Sequence, residues 1–145
     1  MLDLSANCVD NSSMLTLSNF LAVAIGAAAG AIARWMLGLG LHHSGSVLPW
    51  GTLAANLVGA YLIGLVLGVV ALHPEVPTWL RLMLVTGFLG GLTTFSTFSA
   101  ETFGMLERGA YVTAFAYSGI SLAGSLALTA LGFATIVWLR PGVGA

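Results

Sequence analysis

The chain has 145 residues, enough for one domain. Hydrophobic residues make up 58% of it and charged residues only 6%, against about 25% in soluble proteins, and there is no lysine. That excludes a water-soluble surface. A net charge of −1 leaves no basic patch for nucleic acid, and the lone Cys8 can form neither an intrachain disulfide nor a multi-cysteine metal site.

What remains is an all-α membrane protein. Residues 1–14 read as a polar tail without a signal-peptide pattern, either an unstructured leader or an extension ahead of a second start at Met14. Residues 15–145 read as a four-helix transmembrane domain, because a span needs roughly 20 mostly apolar residues and four stretches qualify. They fall at about 16–37, 52–72, 80–104 and 111–139. The connections are short, so consecutive helices run antiparallel.

The first span ends near Arg34, and its Gly26-xxx-Gly30 spacing reads as a close helix seam. Arg34 either snorkels to the interface or serves a polar vestibule. The second span carries Asn56 four residues in and a similar Gly64-xxx-Gly68 seam. The amide of Asn56 offers two donors and an acceptor, so interhelical bonding and ion contact are both open to it. Arg34, Asn56 and Glu101 all lie toward one membrane side, so all three could line one vestibule. Arg81 and Arg140 belong to one side, Arg34 and Arg108 to the other. This two-against-two tie leaves the positive-inside bias nothing to act on, which allows insertion both ways round.

The third span is the least ordinary. Gly87, Gly90 and Gly91 are followed by Thr93, Thr94, Ser96, Thr97 and Ser99. A glycine pair weakens a helix, and hydroxyls supply competing bonds and N-caps. Residues 90–94 therefore read as a break between two half-helices, with Gly91 and Thr94 at it, near the bilayer midplane. The competing reading is a glycine packing seam with serines bonded to their own helix. A break frees carbonyls for a small cation and creates a helix N-terminus that favours an anion. Phe95 and Phe98, three apart, share a face, and their positive ring edges can meet an anion without trapping it.

The fourth span places Tyr117, Ser121, Ser125 and Thr129 at steps of four, a hydroxyl ladder about 18 Å long. No carboxylate lies at the centre of a span, which disfavours a proton-coupled carrier. No intramembrane His or Lys accompanies the serines, so no hydrolase constellation exists and no enzyme is expected. Ion passage along neutral donors is the first function class, and four thin helices call for an oligomer.

The segments Gly-Ala-Ile-Ala-Arg-Trp at 30–35, Pro-Trp-Gly-Thr-Leu-Ala-Ala-Asn at 49–56 and Thr-Gly-Phe-Leu-Gly-Gly-Leu-Thr-Thr-Phe-Ser-Thr-Phe at 86–98 resemble the CrcB-like fluoride channels. The likeness covers all four spans. It implies a fluoride-selective channel in the prokaryotic plasma or inner membrane, exporting fluoride as an antiparallel, dual-topology homodimer with two pathways. It implies that Phe95 and Phe98 form an aromatic box, that Asn56 bonds the permeating ion, and that Tyr117, Ser121, Ser125 and Thr129 form a polar track. It further implies a structural sodium ion held by the carbonyls of Gly90 and Thr93, with Arg34 and Glu101 at charged positions of vestibule or structural use. Two alternatives remain from the residues. A small multidrug-type antiporter would need a carboxylate in the first span, where this chain has Arg34. A non-transporting assembly subunit would explain the glycine seams but not the aligned hydroxyls.

Overall fold

The computed structural model describes residues 16–42 and 46–139. The expected tail at 1–14, His43 and Arg140 lie outside them. Every regular element among the described residues is helical, and four helical stretches are long and apolar enough to cross a membrane. Helix α1 is Leu17–Gly40 and α2 is Trp50–Leu72. The third span, Thr78–Glu107, is composite. It opens with α3 (Thr78–Arg81), widens into a π-helical stretch at Leu82–Leu89, tightens into α4 (Gly90–Leu92) and resumes as α5 (Phe95–Glu107). Helix α6, Tyr111–Trp138, is the fourth span.

Local chemistry sets the ends. Thr16 caps α1, its side chain accepting from Asn19 N at 3.3 Å. Between α5 and α6 the chain reverses through Gly109, which has φ 74°. Gly109 N donates to Leu106 O at 3.0 Å and Ala110 N to Met105 O at 2.9 Å. This is a Schellman cap, and a residue with a Cβ is disfavoured at its left-handed position. Ala110 and Met105 also pack together in the Tyr117 cluster, the apolar contact such a cap usually carries.

The helices pair along glycine. The two most extensive faces join α2 to α6 and α1 to the first half of the third span. On the latter face, a Cβ on Gly30 would run into Phe88 O, and one on Gly91 would lie 2.5 Å from Ala27 O. On the former, a Cβ on Gly64 would run into Thr129 O, and one on Gly132 into Tyr61 O. Backbone therefore meets backbone, as expected where lipid removes the hydrophobic drive and association depends on close contact. Apolar side chains such as Phe20, Trp35, Val112 and Phe115 are exposed, as a lipid-facing surface requires.

Candidate permeation groove

The third span breaks at Thr93 and Thr94, which are both extended (φ −85°, ψ 156° and φ −152°, ψ 119°). The break thus falls two residues later than the glycine pair. Gly90 and Gly91 remain helical. Gly91 lacks a side chain because α1 presses against it, not because the helix ends there. The first half closes with Thr93 N donating to Leu89 O at 2.9 Å, and the Thr93 hydroxyl donates to the same carbonyl at 2.9 Å. Thr94 starts the second half as an N-cap, accepting from Thr97 N at 3.2 Å.

Both flanking helices reach the break. Asn56 of α2 binds Thr94 at two points: Nδ2 donates to Thr94 O at 3.2 Å, and Oδ1 accepts from Thr94 N at 2.8 Å. The amide thereby replaces both helical bonds that Thr94 has lost. Arg34 of α1 donates from Nε to Gly91 O at 3.1 Å. It reaches inward along the protein and does not snorkel, because the glycine seam brings the third span against the α1 face that carries it. Besides Gly91 O, further carbonyls at the end of the first half lose their helical donors. Gly90 O would take Thr94 N and Thr93 O would take Thr97 N, but those amides are spent on Asn56 and on the Thr94 hydroxyl.

A groove of about 510 Å³ runs along the break and α6. Its polar lining is Asn56, Thr93, Thr94, Ser121, Ser125 and Thr129, with the Gly90 backbone, Phe95 and Phe98; Tyr117 of the expected polar track does not line it. Phe95 and Phe98 stand with ring centroids 5.8 Å apart at 43°, and Phe98 meets Tyr117 at 5.2 Å and 46°. Phe95 is 80% exposed at the open side of the groove, whereas Tyr117 is fully buried.

The ladder hydroxyls divide by use. Tyr117 donates to Glu101 Oε2 at 2.8 Å, and Thr129 donates to Ala60 O at 3.0 Å. Ser121 is buried, lines the groove, and its Oγ has no partner among the described residues. Such a group in a dry interior costs about 1–3 kcal/mol unless something else binds it. Nor does any hydrogen bond among the described residues engage Ser125 Oγ, one turn further along the same wall. Ser121 and Ser125 are therefore the ladder hydroxyls that line the groove without a protein partner.

A second cavity, about 420 Å³, opens between the α1–α2 connection and α5, lined by Thr52, Glu101 and Arg108 among others. Arg34, Asn56 and Glu101 do not share either of these two cavities. Glu101 lines this cavity, Asn56 lines the groove, and Arg34 lines neither, because its reach is spent on Gly91 O. Glu101 accepts from Thr52 Oγ1 at 2.7 Å and from Tyr117. The buried Tyr117 thus connects the cavity to the groove, touching Glu101 through its hydroxyl and Phe98 through its ring. Thr52 was missed in the sequence. Its spacing of four from Asn56, on one helix face, was the available signal.

The chain is similar to known proteins. A family model described as "CrcB-like protein, Camphor Resistance (CrcB)" matches residues 21–133. A "Fluoride-specific ion channel FluC" of Bordetella petrii is 69% identical over 122 residues, covering 84% of this chain and 94% of the relative. The protein of the same name from Bordetella bronchiseptica is 65% identical over 125 residues, covering 85% and 96%. One from Albidiferax ferrireducens is 54% identical over 127 residues, covering 87% and 96%. With a family match across all four spans and relatives aligned over nearly their whole length, the chain belongs to the CrcB-like family.

Proposed function

We propose that the protein is a fluoride-selective channel of the bacterial plasma membrane that exports fluoride down its electrochemical gradient. It is a conduit and not an enzyme. The observation that carries this reading is the groove itself: free hydroxyls of Ser121 and Ser125, the amide of Asn56 and two phenylalanine rings, with no charged side chain among its lining. Neutral donors replace part of a small anion's hydration without holding it, which conduction requires. The relatives' shared name, fluoride-specific ion channel, supports fluoride as the ion.

The open side of the groove, where Phe95 stands exposed beside Gly90, supports a second copy as the missing wall. The tied arginine count supports antiparallel insertion of that copy, and two copies give two pathways. The break, near the middle of a 30-residue span, belongs at the bilayer midplane. The carbonyls of Gly90 and Thr93, deprived of helical donors, suit a sodium ion, which unwound membrane helices coordinate through backbone oxygens. One chain offers too few oxygens, so the ion would be shared with the second copy and would act structurally. Purified protein in liposomes loaded with fluoride or chloride tests the reading. Fluoride efflux far above chloride efflux is expected, and equal rates would refute it.

A further inference from the structure

The break brings together two helix ends of opposite polarity. The carbonyl end of the first half, at Leu89–Leu92 in sequence, carries partial negative charge; the N–H end of α5 carries partial positive charge. An anion in the groove meets both, and the two would largely cancel. Arg34 removes that symmetry. Its half-buried guanidinium donates to Gly91 O, one of the orphan carbonyls of the first half, and adds a full positive charge there. No side chain of opposite charge pairs with it among the described residues, where His73–Glu75 is the ion pair present. The other half-buried charge near the pathway is Glu101, which is negative and borders the far cavity.

We propose that Arg34 is a positioning residue that acts by its field: together with a sodium ion at Gly90 and Thr93, it offsets the carbonyl end of the break and raises the attraction of the groove for an anion. The inference rests on the channel reading above. Gly91 faces α1, and its neighbour Gly90 lines the groove, so the charge acts across roughly one helix width. A unit charge over ~10 Å at an effective dielectric near 20 changes anion occupancy by about tenfold to twentyfold, and salt screens it little inside the membrane. The same charge never touches the ion, so it raises occupancy without forming a trap.

The experiment measures fluoride efflux from liposomes against fluoride concentration for the wild type, Arg34→Gln and Arg34→Lys, each checked for assembly by gel filtration. Gln keeps a donor and loses the charge; Lys keeps the charge and loses the planar fork. Expected is a half-saturating concentration raised about tenfold in Arg34→Gln, with maximal flux within about twofold, and a value within about twofold of wild type in Arg34→Lys. A tethering role alone would instead lower maximal flux and thermal stability in both variants at unchanged half-saturation, which would overturn the inference. If Arg34→Gln does not assemble, Arg34→Lys decides: a half-saturation near wild type supports the role of charge, and a tenfold shift refutes it. Wild-type liposomes without fluoride flux would refute the channel reading and this inference with it, a result distinct from either variant outcome.

Discussion

Replacing Asn56 by Leu separates the two jobs that one amide can do. In the structure its Nδ2 and Oδ1 bind Thr94 O and Thr94 N at 3.2 and 2.8 Å. Leucine leaves both backbone groups without this side-chain partner in a half-buried site. An unmade buried bond costs about 1–3 kcal/mol, so the pair predicts a loss of roughly 2–6 kcal/mol. Asn56→Asp keeps the acceptor for Thr94 N but sets a carboxylate oxygen against Thr94 O, and should lose less than Leu while still falling below wild type. Thermal unfolding followed by circular dichroism in detergent, run beside fluoride efflux, reads both effects. If Asn56 served only the permeating ion, Asn56→Leu would lose flux and keep wild-type stability. That result would refute the clamp.

Four further outcomes are expected. Ser121→Ala removes a buried hydroxyl with no protein partner, so stability should hold or rise by up to ~1 kcal/mol while fluoride flux falls; unchanged flux would remove Ser121 from the pathway. Tyr117→Phe deletes the donor to Glu101 Oε2 at the junction of cavity and groove, and should lower flux at a stability cost of about 1–3 kcal/mol, measured by efflux and thermal unfolding. Gly30→Ala would drive a methyl into Phe88 O and should prevent normal assembly on gel filtration, whereas Gly38→Ala, with open space around the new Cβ, should gain up to ~1 kcal/mol of helix propensity. If sodium is shared between copies, replacing it by a large organic cation should lower the thermal midpoint of the wild type; an unchanged midpoint would count against the carbonyl site.

Periodicity and hydropathy made the four spans legible, and their observed ends lie within about three residues of the expected ones. The hydroxyl run after the glycines pointed to the cap at Thr94, because a Ser/Thr side chain can replace a lost backbone acceptor locally. The expected break at 90–94 contains the observed one at Thr93 and Thr94, but the glycine pair itself stays helical. Gly90 and Gly91 looked like helix breakers, but what absence of a side chain allows at Gly91 is contact with α1, a tertiary fact. The same limit applies to Arg34. Its direction depends on which helix lies against α1, so snorkelling and inward bonding were equally legible. Long-range pairs were invisible for the same reason: Thr52 with Glu101 and Asn56 with Thr94 are brought together by the packing of α2 on the third span.

The most direct test of a neutral-donor pathway for fluoride is the reversal potential of currents through the purified protein in a planar bilayer. With a tenfold fluoride gradient and equal chloride on both sides, a fluoride-selective path reverses near the fluoride equilibrium potential, about 59 mV in magnitude. Reversal near zero when chloride greatly exceeds fluoride would mean that the groove does not distinguish the two halides.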